Sequence, residues 1–186
     1  MLFRSIEHAG LLALGFGFGC IGIFAALIHM LYHALIKALL FFAVGNIFLK
    51  YSSTKMRHVT GVLSALPITA PFFFMGFIAI VGLPPFGTFS TKLMILSAGF
   101  SQYPYIVGCT VFFLAMIFFG FFRHVTGIFF GKMPEGIASG ESNMLTRLPV
   151  ALIAALIIVL SWYFPEALKS LITLAAASLE TISIHI

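Results

Sequence analysis

Residues 28–41 read Ile-His-Met-Leu-Tyr-His-Ala-Leu-Ile-Lys-Ala-Leu-Leu-Phe, which places His29, His33 and Lys37 inside an otherwise apolar stretch. Side chains four residues apart lie on the same face of an α-helix, and each residue adds about 1.5 Å along the helix axis. The three titratable groups would therefore form a stripe about 12 Å long. This segment predicts a buried helix that carries a protonatable path along one face.

The composition indicates where such a helix lies. Hydrophobic residues make up 61% of the 186 positions and charged residues 8%, and the mean hydropathy is +1.16. A soluble domain carries about 25% charged residues, and about 18 consecutive apolar residues suffice to cross a bilayer. We therefore predict an all-α fold, a polytopic transmembrane helix bundle. The net charge of +5 comes from scattered basic residues, so nucleic-acid binding is not expected.

Apolar character divides the chain into successive spans. The expected spans run from Gly10 to about Ile28, from about Ala25 or Leu27 to Leu49, from Leu66 to Val81, from Pro104 to Phe122 or Phe130, and from Leu148 to Phe164. A weakly amphipathic tail follows Pro165 and suits the membrane interface or the outside of a bundle. Glu7 and His8, with Arg4, precede the first of these spans and are expected to form a solvated cap.

A second motif, Gly82-Leu-Pro-Pro-Phe-Gly87, interrupts the third span. Pro84 and Pro85 each remove a backbone donor and crowd the preceding turn, so an α-helix cannot continue through them. Apolar residues resume at once, which predicts a break at membrane depth, where irregular backbone needs protein or water to satisfy it. Lys92 follows the break within about two helical turns. Broken helices of this kind hold ions in transporters, so Lys92 is a second candidate.

A lysine inside a membrane span points to function, because insertion scales assign it a cost of about 2.5–3.5 kcal/mol. Histidine titrates near neutral pH and suits the same task. We predict that Lys37, Lys92, His29 and His33 relay protons. The alternatives are hydrogen bonds from the histidines to a neighbouring helix, and a snorkelling role for Lys92 at the membrane surface.

Metal and redox chemistry find little support in the sequence. His29 and His33 have the spacing of a zinc-binding pair, but no glutamate accompanies them and no third ligand is apparent. Cys20 and Cys109 are isolated, which argues against an iron–sulfur cluster or a structural zinc. We expect no metal site, no bound cofactor and no redox centre.

A buried lysine that changes its protonation state needs a carboxylate nearby. The chain has no aspartate, and no acidic residue lies within the predicted spans. The partner is therefore expected to come from another chain or from sequence outside this one.

The order of these motifs resembles a known family. The pattern from His29 to Lys37 with the following Ala-Leu-Leu-Phe-Phe-Ala-Val-Gly-Asn, and the segment from Gly82 to Lys92, are similar to the antiporter-like proton-pumping subunits of respiratory complex I, membrane-bound hydrogenases and multisubunit sodium/proton antiporters. Ser5-Ile-Glu-His-Ala-Gly, Phe122-Arg-His-Val-Thr-Gly and Phe164-Pro-Glu-Ala-Leu-Lys are most similar to component F of hydrogenase-4 and formate hydrogenlyase-type complexes.

This resemblance implies a role for each candidate. Lys37 would be the central lysine of a hydrophilic axis within the membrane, His29 and His33 would extend that axis, and Lys92 would lie on the broken helix that leads to one side. Residues 1–186 would be the C-terminal part of an antiporter-like domain whose N-terminal half is missing. The resemblance also implies a multi-pass location in a prokaryotic inner membrane.

The sequence thus predicts a proton-translocating subunit of a hydrogenase-4-like or NADH:quinone oxidoreductase-like complex, with the other membrane and peripheral subunits as its partners. Redox chemistry would belong to those subunits, so whether this chain is itself an enzyme stays open. One alternative is a membrane scaffold that anchors a peripheral oxidoreductase without pumping. Another is a sodium/proton antiporter module.

Overall fold

The computed structural model describes residues 2–53, 59–134, 136–141 and 144–184. Within these ranges, eight helices follow one another: α1 (Leu2–Gly17), α2 (Cys20–Tyr51), α3 (Val62–Ala65), α4 (Thr69–Val81), α5 (Gly87–Phe100), α6 (Pro104–Phe130), α7 (Arg147–Trp162) and α8 (Glu166–Ile184). No strand occurs in this part of the chain, which confirms the all-α prediction.

Helix α2 is the centre of the bundle, and α1, α4, α5, α7 and α8 all pack against it. Its 32 residues span about 48 Å, more than the ~30 Å hydrocarbon core of a bilayer. Its most deeply buried stripe alternates steps of four and three residues: Ala25, His29, Tyr32, Ile36, Leu39, Ala43 and Asn46. This spacing places the stripe on one face of the helix. Lys37 lies beside the stripe and not on it.

Several helices meet the physical requirements of membrane spans. Helices α2 and α6 are each long and apolar enough to cross a membrane, and α7 and α8 meet the same test as a pair bent by 76°. Helix α6 lies mostly on the outside of the bundle and exposes large apolar side chains such as Phe112, Met116 and Phe119. Such a surface is unfavourable in water and suits lipid. The predicted polytopic membrane bundle is therefore confirmed.

The predicted helix break is present between α4 and α5. Helix α4 ends at Val81, Gly82 adopts the left-handed conformation with a φ of 80°, and α5 begins at Gly87. The Pro84–Pro85 peptide bond in this segment is cis. The last carbonyls of α4 and the first amides of α5 are left without partners inside their own helices.

The predicted boundary of the first span is wrong. Helix α1 already begins at Leu2 and not at Gly10, and it ends before a turn at Gly19, whose φ is 82°. Gly15 and Gly22 let α1 and α2 touch, since a Cβ at Gly22 would collide with the carbonyl oxygen of Gly15. Two helices therefore occupy the stretch in which the sequence predicted one, because its glycines form a tight turn.

Candidate proton-relay site

The side chains of Lys92 and Glu7 form a buried ion pair. Lys92 Nζ lies 2.9 Å from Glu7 Oε1, and only 9% and 5% of the two side chains are exposed. The ammonium also donates a hydrogen bond to the carbonyl oxygen of Val81, at 3.1 Å. An isolated ion removed from water is strongly destabilised, so both contacts help to hold the charge on Lys92 inside the bundle.

Two predictions about these residues are wrong. Glu7 and His8 do not form a solvated cap, because both side chains are buried between helices. The carboxylate partner of a buried lysine also comes from this chain and not from another one. The physical reason is the early start of α1, which places Glu7 within a helix that packs on α2 and α5. An acidic residue before an apolar run has the same sequence pattern whether it caps a helix or is buried, so sequence reasoning misses Glu7.

The helix break positions Lys92 at the end of α4. The last carbonyls of a helix carry the negative end of its dipole, so the C-terminal end of α4 attracts an ammonium group. Gly82 lets the lysine stem pass close to the backbone, since a Cβ there would lie 2.9 Å from Lys92 Cδ. Pro84 and Pro85 lie on the exposed side of the break. The break thus supplies both a carbonyl partner and the space that the lysine needs.

The other side of the break is tied to α7. The amide of Gly87, at the start of α5, donates a hydrogen bond to Ser161 Oγ at 3.1 Å. The Tyr32 hydroxyl donates to the carbonyl oxygen of Leu160 at 2.6 Å. Gly87 also has no room for a side chain, because a Cβ there would collide with the ring of Tyr32. Backbone groups freed at two helix ends are therefore satisfied by neighbouring helices.

A hydrogen-bonded chain of side chains crosses the bundle next to the ion pair. Thr91 Oγ1 lies 2.7 Å from His29 Nδ1, and His29 Nε2 lies 2.8 Å from His8 Nδ1. His8 Nε2 lies 3.1 Å from the carbonyl oxygen of Ile80. All three side chains are buried. The chain links α5, α2, α1 and α4 in that order, and sequence spacing offers no signal for the parts played by His8 and Thr91.

His33 lies beside this chain. Its ring centroid is 4.2 Å from that of His8, and the ring of His8 is in turn 5.1 Å from that of His29. Nδ1 of His33 is buried and has no hydrogen-bond partner within the described part of the chain. His8 of α1 therefore joins the two histidines of α2. The stripe predicted from the sequence does not include His8.

Lys37 faces a different part of the bundle. Its Nζ lies 5.7 Å from the centroid of the Phe41 ring, a distance typical of a cation–π contact. It also lines a cavity of about 40 Å³ whose other walls are apolar: Leu40, Phe73, Phe77, Ile80, Phe121 and Val125. The cavity is large enough for about one water molecule. The structure therefore brings His29, His33 and Lys92 to one cluster. Lys37 is near His33 on α2, but its side chain extends towards α4 and α6.

The geometry does not favour a metal. Among the described residues, no three His, Cys, Asp or Glu side chains are grouped so as to hold a metal ion. Both ring nitrogens of His29 already have partners within the chain, so the pair with His33 has no free donor set for zinc. Imidazole nitrogens with a hydroxyl and a carbonyl oxygen at hydrogen-bond distance are instead suited to passing a proton.

Apolar helices with a buried ion pair beside a helix break place the chain among membrane proteins that hold ionisable groups inside the bundle. Residues 1–119 match the family described as "NADH:quinone oxidoreductase/Mrp antiporter, TM", and the chain belongs to this family. The matched residues include α1 to α5 and therefore all of the candidate relay. The family resemblance expected from the sequence is confirmed.

Individual relatives agree with this assignment. The chain is 36% identical over 108 residues to a "Hydrogenase-4 component F homolog" from Methylacidiphilum infernorum, which covers 58% of this chain and 23% of that protein. It is 35% identical over 95 residues to "NADH-quinone oxidoreductase subunit L" from Mycobacterium tuberculosis, covering 50% and 15% of the two chains. The matched regions are thus about a quarter or less of the length of these relatives.

A solved structure shares the fold. A chain in the structure of the Mrp complex from Dietzia sp. DQ12-45-1b superimposes with a TM-score of 0.82 over 96% of this chain and 42% of that chain. The two sequences are 21% identical over this match. This chain therefore shares its helix arrangement with a chain of the Mrp complex.

Proposed function

We propose that this chain conducts protons through a prokaryotic inner membrane as a subunit of a larger complex of the hydrogenase-4 or the NADH:quinone oxidoreductase type. The observation that carries the proposal is the buried Lys92–Glu7 pair beside the hydrogen-bonded chain of His8, His29 and Thr91. Redox chemistry belongs, in this proposal, to other subunits. The identity of 36% to a relative named as a hydrogenase-4 component F homolog supports the first type of complex.

The free-energy cost of burying ionisable groups supports a functional role for the cluster. An ion pair inside a lipid-embedded bundle contributes little net stability compared with apolar side chains of similar size. Ionisable groups within membrane segments accordingly mark ion or proton pathways. A protein that only anchored other subunits would need apolar packing and no such cluster.

The proposed path has two branches that meet near the end of α4. Lys92 and Glu7 form the branch at the helix break, where the ammonium contacts the carbonyl of Val81. His8 contacts the adjacent carbonyl of Ile80, and Ile80 also lines the cavity that holds the Lys37 side chain. We assign Lys37 to the second branch, because it lies one helical turn from His33 on α2 and is close enough to interact with it electrostatically.

The chemistry of the cluster favours protons over sodium ions. Hard cations such as sodium are bound by sets of carboxylate, carbonyl and water oxygens. The side chains that meet here present one carboxylate, one ammonium and three imidazoles, so most of their polar atoms are nitrogens. Nitrogen and hydroxyl groups at these distances exchange protons.

The proposal is tested by Lys92→Met in the intact complex within membrane vesicles. We expect the complex to assemble and its electron transfer to continue, while proton translocation falls at least tenfold, because the relay loses its charged group. Lys37→Met should also impair translocation. The matched control is Lys169→Met, which removes a lysine that is 55% exposed on α8 and should leave translocation unchanged.

Each outcome separates the candidate functions. Normal translocation with Lys92→Met would leave only the scaffold reading. Translocation that requires sodium ions would favour the antiporter module. Loss of the complex from the membrane with both Lys92→Met and Lys169→Met would indicate a general assembly defect and contradict a specific relay role.

A further inference from the structure

We propose that Thr91, His29 and His8 form a unit that takes up one extra proton without losing a hydrogen bond, with the Thr91 hydroxyl as the reversing element. The inference rests on the proposed function and assigns a distinct step within it. It follows from the identities and distances of the atoms in the chain Thr91–His29–His8–Ile80.

The carbonyl oxygen of Ile80 fixes the direction of the unit when the imidazoles are neutral. A carbonyl only accepts, so His8 must carry its proton on Nε2. Nδ1 of a neutral His8 is then an acceptor, and His29 must donate to it from Nε2. Nδ1 of His29 becomes an acceptor in turn, so the Thr91 hydroxyl donates to it. This is the one arrangement in which neutral imidazoles satisfy all three contacts.

The same atoms also accommodate one more proton. A hydrated proton that reaches Thr91 Oγ1 binds there while the original hydroxyl proton passes to His29 Nδ1. His29 passes its Nε2 proton to His8 Nδ1, and His8 becomes an imidazolium that still donates to the Ile80 carbonyl. Three protons on the unit become four. Each O–H or N–H bond that breaks is replaced by one that forms. All three contacts persist, and those between Thr91 and His29 and between His29 and His8 reverse direction.

Thr91 makes this reversal feasible. In the loaded state His29 donates to Thr91 Oγ1, and the hydroxyl proton needs another acceptor. The carbonyl oxygens of Gly87 and Thr88 both lie 3.1 Å from Thr91 Oγ1, in the preceding turn of α5. The hydroxyl therefore has a partner in either state: His29 when the unit is neutral and a backbone carbonyl when it is loaded. An apolar side chain at this position would satisfy neither state.

The surroundings of His8 bear on the charge of the loaded unit. The titratable groups near it are Glu7 on α1, His33 on α2 and Lys92 on α5, with Lys37 farther along α2. Helix α4 contributes the carbonyl of Ile80. The Lys92–Glu7 pair carries no net charge when both groups are ionised, so it adds no net repulsion to an imidazolium on His8. The adjacent His33 ring is the group to which His8 would pass the proton.

The inference is tested by Thr91→Val and Thr91→Ser in the intact complex, with initial rates of proton translocation measured in membrane vesicles over a range of pH. Thr91→Val leaves a buried ring nitrogen without a partner and should slow translocation roughly tenfold to a hundredfold. Thr91→Ser keeps the hydroxyl and should recover most of that rate.

Thr69→Val is the matched control, because it removes the hydroxyl of another buried threonine. The Thr69 hydroxyl donates to Glu141 Oε2 at 2.8 Å and takes no part in the unit. We expect its rate to stay within about twofold of the wild-type rate. Equal losses with Thr69→Val and Thr91→Val would assign the effect to packing and overturn the inference.

A second variant tests the same unit in case the complex that carries Thr91→Val does not assemble. His8→Gln retains donor and acceptor groups but cannot hold the extra proton, so it should reduce translocation to a similar extent. Normal rates with either His8→Gln or Thr91→Val would overturn the reversing unit. If translocation is normal with those variants but impaired with Lys92→Met, the reversing unit is wrong and the proposed function still stands. Normal translocation with Lys92→Met would contradict the proposed function itself.

Discussion

Two lysine–glutamate pairs in this chain differ in almost every physical respect. Lys169 and Glu166 lie three residues apart on α8, 3.6 Å from each other, with 55% and 83% of their side chains exposed. Lys92 and Glu7 lie 85 residues apart in the sequence, 2.9 Å from each other, and are almost fully buried. The first pair is a local consequence of helix spacing, and the second exists only because α1 packs against α5.

The difference shows which charged residues of a membrane protein indicate a functional site. An exposed pair three residues apart contributes at most a few tenths of a kcal/mol and is screened by salt. A buried pair must be satisfied by specific partners, and removing one partner leaves a charge that the bundle cannot solvate. Burial and tertiary pairing, more than the presence of opposite charges, therefore identify the candidate site.

The largest effect is expected when Glu7 is replaced. Glu7→Ala removes the carboxylate beside a buried ammonium and should lower the free energy of unfolding by about 3–5 kcal/mol. Glu166→Ala on the exposed pair should change it by less than about 0.5 kcal/mol. Thermal denaturation of the purified chain in detergent measures both values, and equal losses would abolish the distinction between the two pairs.

Replacing both members of the buried pair sharpens the comparison. Glu7→Leu combined with Lys92→Leu exchanges two ions for apolar side chains and should bring stability back to within about 1 kcal/mol of the wild-type value. Proton translocation by the complex should stay at least tenfold below the wild-type rate. A double variant that translocates protons normally would show that the pair has a structural role only.

A smaller effect is expected at the glycine that makes room for Lys92. Gly82→Ala forces a left-handed residue to carry a Cβ that meets the lysine stem, and should cost about 1–2 kcal/mol. Gly45→Ala is the control, since it lies inside α2 with open space around it and should gain about 0.5–1 kcal/mol. Stabilisation of the chain by Gly82→Ala would contradict the close approach of the lysine.

The smallest expected effect concerns ionic strength. Raising the salt concentration from 0.1 to 1 M shortens the screening length from about 10 Å to about 3 Å. The effect of Glu166→Ala on stability should then vanish, while the loss caused by Glu7→Ala should persist because solvent ions do not enter the bundle. Unfolding measurements of both variants at the two salt concentrations provide the test.

Local patterns predict several parts of the site correctly. Hydrophobicity predicts the membrane bundle, and two prolines between glycines predict the break between α4 and α5. Lys92 and the histidines of α2 are notable in the sequence because polar groups are rare in apolar spans. Their relay role stays a prediction, as does the assignment of residues 1–186 to the C-terminal part of a longer domain.

Other parts of the site have no local signal. Glu7 and His8 precede a glycine-rich span, and a helix cap would look the same in the sequence. Thr91 is one of several threonines in apolar surroundings. Lys37 shares a helix face with His33 by spacing, yet its side chain extends towards the cavity between α4 and α6. A long side chain can extend into any of several neighbouring spaces, and only the packing of the bundle defines those spaces.

The sequence by itself determined that this protein lies in a membrane and which segments form helices, because hydropathy and backbone chemistry act over a few residues. Apolar segments form helices, and prolines end them. The tertiary structure alone decided which polar groups meet. Glu7 reaches Lys92, and His8 joins His29 to the end of α4, because helices distant in the sequence pack side by side. A buried charge is stable only where such partners converge, and that convergence depends on the packing of the whole bundle.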